Sequence, residues 1–118
     1  MKLLFVFLGG GLGSLVRYGI YLIINRLSIQ FPLATLLSNV AACFLIGVLT
    51  AAATKGNLTD AQRVLLATGF CGGFSTFSTF SNETLQLAQN GQFFSAFWNI
   101  LLSLTLCLAA TFIGLRIF

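Results

Sequence analysis

Residues 69–83 read GFCGGFSTFSTFSNE, and they concentrate the groups in this chain that could handle an ion. Five hydroxyls (Ser75, Thr76, Ser78, Thr79 and Ser81) alternate with rings at Phe74, Phe77 and Phe80, and the whole follows a Gly72-Gly73 pair. Two further sets repeat at the four-residue step that keeps side chains on one helix face: Thr35, Asn39, Cys43 and Gly47, then Asn99, Ser103, Cys107 and Thr111. Such stripes suit either close helix packing or a polar path. Most other chemistry lacks its parts. There is no histidine, and the only carboxylates are Asp60 and Glu83. Acid–base pairs, His/Cys metal clusters and Ser-His-Asp arrangements are therefore missing, which argues against an enzyme. The glycines at 9–11 and 13 do not form a nucleotide cradle, and no basic cluster suits nucleic acid. Cys43, Cys71 and Cys107 form no C-x-x-C pair and read as small packing residues. The sequons at Asn57 and Asn82 are too short a pattern to carry weight.

The elements that hold these residues are membrane spans. The chain has 118 residues, 58% hydrophobic and 7% charged, with mean hydropathy +0.99. A soluble domain carries roughly 25% charged residues. Four apolar stretches, at about 3–24, 33–54, 61–90 and 93–116, each reach the ~20 residues a spanning helix needs. Short polar connections join them, so the expectation is one four-span membrane domain over 1–118. The start resembles a signal peptide but has no cleavage site before Arg17, so helix 1 is expected to be retained. Lys2, Lys55, Arg63 and Arg116 share one side, against Arg26 and in one reading Arg17, which leans the termini towards the cytoplasm. Gly9 with Gly13, and Gly69 with Gly73, are spaced for close helix contact. Arg17 lies inside the first stretch, where a cation snorkels to the interface or lines a water-filled vestibule.

The third span is longer than a crossing requires. Its Gly-Gly pair weakens the helix, and its hydroxyls can bond backbone carbonyls and bend it. The expectation is a helix broken near 72–76. Irregular backbone at membrane depth survives when buried in protein or facing a cavity, and inward carbonyls there can hold a cation.

These residues also carry a resemblance. GFCGGFSTFSTFSNE, with GGGLGSLVRY before it and LLSNVAACFLIG between, resembles the Fluc (CrcB) fluoride channels over essentially the whole chain. The resemblance implies an all-α integral membrane protein that works as an antiparallel, dual-topology homodimer in the cell (inner) membrane. It implies passive export of fluoride from the cytoplasm through two pores per dimer, and both membrane orientations rather than the one that the charges favour. Carried across by motif, Phe77 and Phe80 line the pore and Asn39 faces it. Ser103, Cys107 and Thr111 form a polar track with Glu83 near one end. The backbone carbonyls of Gly72 and Ser75 would hold a structural sodium ion at the dimer axis, and Phe74 falls to packing. Cys107 departs from the family pattern, because a thiol is a weaker donor than the hydroxyl often found there. Fluoride is small and tightly hydrated, so its water must be replaced by donors such as the Asn39 amide and the Ser103 or Thr111 hydroxyls. Two other readings compete. A small multidrug-type proton-coupled exporter needs a carboxylate in the first span, where this chain has none. A non-conducting packing subunit would show no flux alone.

Overall fold

The computed structural model describes all 118 residues and is entirely helical. Helix α1 (Lys2–Asn25) and helix α2 (Leu33–Thr54) are each a full membrane crossing in length. The third crossing, Asp60–Gln89, is built from two pieces. Its first half, α3 (60–74), opens as an α-turn at Asp60–Arg63, widens into a π-helix over Val64–Cys71 and closes with Gly72–Phe74. Its second half is α4 (Phe77–Gln89), and α5 (Phe93–Leu115) completes the chain. All four crossings are long and apolar enough to span a bilayer. The molecule is 48 Å along its longest axis, close to the ~40–45 Å of a bilayer with its headgroups.

The turns follow from local chemistry. Thr59 and Gln62 form a reciprocal capping box at the start of α3, with Gln62 N donating to Thr59 Oγ1 at 3.1 Å and Thr59 N to Gln62 Oε1 at 3.0 Å. The threonine of the first sequon is thus a helix cap. Gly91, with φ of +80°, ends α4 in the left-handed conformation while Gln92 N reaches back to Leu87 O.

Glycine decides how the helices meet. A Cβ on Gly9 would strike Leu65 O, and one on Gly13 would strike Phe70 O, so α1 lies backbone-to-backbone against α3. Gly73 sits equally close on Gly10. The two small-xxx-small motifs therefore grip each other. A second seam joins α2 to α5, where Gly47 meets Thr111 O and Gly114 meets Phe44 O. Residue 43 lies opposite 111 and residue 47 opposite 114, so these two helices run in the same direction.

Only 18 of the 118 residues are buried, and large apolar side chains such as Leu3, Phe7, Phe94 and Leu108 face outward. A single copy thus has a small interior, and its exterior suits lipid or another apolar surface.

Candidate functional site

The interruption of the third span falls at Ser75 and Thr76, which take extended backbone conformations between the two half-helices. It lies inside the expected 72–76 window, and of the two expected causes it is the hydroxyls and not the glycines that act. Gly72 and Gly73 stay helical, and Gly73 serves the contact with α1. The break instead occurs where hydroxyl and amide groups capture the backbone. Ser75 ends α3, its N–H and its hydroxyl both donating to Cys71 O, at 3.0 and 2.9 Å. Thr76 starts α4 as an N-cap, accepting from Thr79 N at 3.2 Å.

Asn39 of α2 closes the gap between them. Its Oδ1 accepts from Thr76 N at 2.8 Å, and its Nδ2 donates to Thr76 O at 3.2 Å. The carboxamide thus replaces the peptide partner that Thr76 would have had in a continuous helix. One N–H of Asn39 is left for another acceptor. On the α1 side, Arg17 Nε donates to Gly73 O at 3.0 Å, with Ser14 Oγ at 3.5 Å. A guanidinium at a helix C-terminal carbonyl complements the negative end of the helix dipole. Arg17 is half-buried and holds the break rather than reaching only for the interface.

The sequence-derived candidates fall into three groups within one chain. Arg17 and Glu83 line a cleft of 430 Å³ together with Thr35, Ser38 and Thr79. Glu83 also lines a neighbouring outer cleft of 370 Å³ with Asn25, Gln30, Gln86 and Asn90. Gly72 and Ser75 line a third, of 240 Å³, beside Cys43 and Cys71. Because Thr76 N is taken by Asn39, the Gly72 carbonyl loses its normal donor four residues on. Gly72 is exposed, and a Cβ there would meet nothing within 4 Å.

Phe77 and Phe80 stack obliquely on α4, ring centroids 5.6 Å apart at 46°. Phe80 is half-buried, whereas Phe77 is 75% exposed and projects away from its own chain. Phe74 is buried at 7% against Phe70, as a packing residue should be.

The polar stripes of α2 and α5 meet along the seam between those helices, which is the packing outcome for several of their members. The Thr111 hydroxyl is shared between Cys43 O, at 3.2 Å, and its own Cys107 O, at 3.0 Å. Its hydrogen is engaged within the single chain. Asn99 donates to Thr84 Oγ1 at 2.7 Å and ties α5 to α4. Cys107 lies beside Cys43, and Ser103 is buried with no partner for its hydroxyl.

Sequence reasoning missed Ser38, and did not assign Thr35 or Thr79 to a site. Ser38 follows Thr35 by three residues, so the helical period already placed them on one face. Thr76 as the cap of the second half-helix was also missed; the signal was a threonine three residues before Thr79 in a helix-breaking run.

The chain as a whole is similar to known proteins. Residues 4–115 match the family model described as CrcB-like protein, Camphor Resistance (CrcB). The chain is 47% identical to the fluoride-specific ion channel FluC of Flavobacterium psychrophilum, over 99% of this chain and 97% of that one. It is 40% identical to the protein of the same name from Coxiella burnetii, with the same coverage. For that of Serratia proteamaculans the figures are 42%, 96% and 90%.

Proposed function

The chain belongs to the CrcB family, and on that premise we propose that it is a fluoride-selective channel of the membrane, letting the ion leave the cytoplasm passively. The observation that carries the reading is the interrupted third span, which sets a ring pair and a hydroxyl-lined cleft at one break, in a chain similar over its full length to fluoride-specific channels. Fluoride gives up its hydration shell only where donors replace it. The Thr79 hydroxyl, the remaining Asn39 N–H and the free N–H groups of Arg17 lie around the break for that purpose. The positive edges of Phe77 and Phe80 add a weak attraction for an anion without a hydrogen-bonding group. The buried Ser103 hydroxyl and the Cys107 thiol would continue the path along α5, with Glu83 at the opposite end.

The working unit is a pair of chains packed antiparallel. Phe77 at 75% exposure cannot wall a pore by itself, and so few residues are buried that one copy encloses no conduit of its own. A second copy laid against the break supplies the missing wall, and two such copies give two equivalent paths. Antiparallel packing requires that both membrane orientations be populated.

The family implies a structural sodium ion, and the residues present fit one. A hard cation takes oxygen ligands. The Gly72 carbonyl has lost its helical donor and Gly72 faces outward, and Ser75 lies in extended backbone beside it. These two carbonyls would hold the ion together with the same pair from the second copy. Bound there, it would offset the negative ends of two half-helices.

The test is efflux from liposomes holding the purified protein, followed with fluoride and chloride electrodes. Fluoride efflux without chloride efflux, in the absence of a proton gradient, is expected. No fluoride efflux, or equal chloride efflux, would overturn the reading.

A further inference from the structure

Ser38 is 0% exposed, and its hydroxyl has no hydrogen-bond partner. Ser103 is the one other buried hydroxyl in that state. Hydroxyls in helices relieve themselves by donating to the carbonyl four residues back. Thr50, Thr54, Ser75, Thr84 and Thr111 all do so here. Ser38 does not use Ala34 O, although Ala34 stands one helical turn before it. A buried hydroxyl left without a partner calls for an explanation, and an absent water or ion is one of the few available.

The surroundings favour an anion. Ser38 forms the floor of the 430 Å³ cleft that Arg17 and Tyr18 of α1, Thr35 of α2, and Thr79 and Glu83 of α4 complete. The Thr79 hydroxyl accepts from Thr76 Oγ1 at 3.1 Å, so its own hydrogen is free. Arg17 uses Nε on Gly73 O, which leaves its two terminal NH₂ groups. Three kinds of donor therefore converge on one space, one residue away from the Asn39–Thr76 pairing that defines the break. Glu83 is the opposing group: it lines the same cleft beside Thr35, one of its oxygens is buried without a partner, and an ionised carboxylate there would repel an anion that the donors have to hold.

We propose that the Ser38 hydroxyl is a fluoride ligand, donating to the ion within the cleft between α1, α2 and α4. The inference rests on the reading of the chain as a fluoride channel and adds a residue that helps to choose the ion. A fixed hydroxyl on the floor of the cleft suits a small anion that can settle against it and holds a larger one less well.

Three measurements on the full-length protein decide it. Ser38→Ala is expected to lower fluoride efflux from liposomes about tenfold, the scale of one hydrogen bond to a charged group. Its melting temperature in detergent should stay the same or rise, because the group removed was buried and unpaired. Ser38→Cys, of similar size but with a weaker donor, should fall between. Sodium fluoride should raise the melting temperature of the unaltered protein above its value in sodium chloride, and Ser38→Ala should lose much of that rise. Unaltered efflux in Ser38→Ala overturns the proposal, as does a loss of efflux that merely follows a loss of stability. If the unaltered protein passes no fluoride, the channel reading fails, and the fluoride-induced rise in melting temperature still decides whether Ser38 binds the ion.

Discussion

Replacing Asn39 tests the account of the break most directly. Its side chain makes two hydrogen bonds to one peptide unit, 2.8 Å from Thr76 N and 3.2 Å to Thr76 O. Asn39→Ala removes both and leaves the Thr76 donor and acceptor without protein partners at membrane depth. Each buried group so orphaned costs about 1–3 kcal/mol. Thr76 and Asn39 are half-buried rather than sealed, so water recovers part of this, and a net loss of about 2–4 kcal/mol is expected. Asn39→Asp separates the two bonds. A carboxylate keeps the acceptor for Thr76 N but sets an oxygen against Thr76 O, so its stability should fall by at least as much as that of the alanine variant. Unfolding in mixed micelles can be followed through the single tryptophan, Trp98, with fluoride efflux measured in parallel. Both variants should lose stability and efflux together. An Asn39→Ala protein that unfolds like the unaltered one refutes the capping role; if efflux is nonetheless lost, Asn39 acts on the ion instead.

Four further expectations concern packing, rings and charge. Gly47→Ala and Gly73→Ala set a methyl against backbone carbonyls and should each cost about 1–3 kcal/mol on unfolding, as overpacking does, whereas Gly72→Ala meets nothing within its own chain. A loss at Gly72 equal to that at Gly73 would reveal the surface of a second copy. Phe77→Ile and Phe80→Ile should cut fluoride efflux at least tenfold, about 1.4 kcal/mol on the barrier, while the dimer persists on size-exclusion chromatography; unchanged efflux would move the rings out of the path. Arg17→Gln loses a charge-assisted bond to Gly73 O and should destabilise by about 1.5–3 kcal/mol, and stability equal to that of the unaltered protein would return Arg17 to a snorkelling role. Glu83→Gln should leave fluoride efflux independent of a proton gradient, and a dependence on both would favour proton-coupled export.

Much of the architecture was legible from composition, because hydrocarbon permits so few solutions. Twenty apolar residues in a row, with no route for backbone groups to reach water, can only be a helix. The glycine motifs likewise predicted close contact, since a missing Cβ has the same consequence in any such helix. The site was less legible. The pair Gly72-Gly73 looked like the weak point, yet both remain helical, and the chain departs from helix at Ser75 and Thr76. Thr111 and Ser38 show the same limit from opposite sides. The first belonged to an evident stripe and has its hydrogen engaged, while the second stood beside Asn39 in a quoted motif without being singled out, and is left without a partner.

The amino-acid order alone determined the four crossings, the interruption of the third and the absence of catalytic groups, because hydropathy and the lack of a residue type are properties of the chain. Tertiary structure decided which polar groups remain available. Whether a hydroxyl is free depends on a carbonyl that can lie sixty-eight residues away, as Cys43 O does for Thr111. Only once Asn39 had taken Thr76, and Arg17 had taken Gly73, did the donorless carbonyl of the exposed Gly72 and the buried hydroxyl of Ser38 stand out.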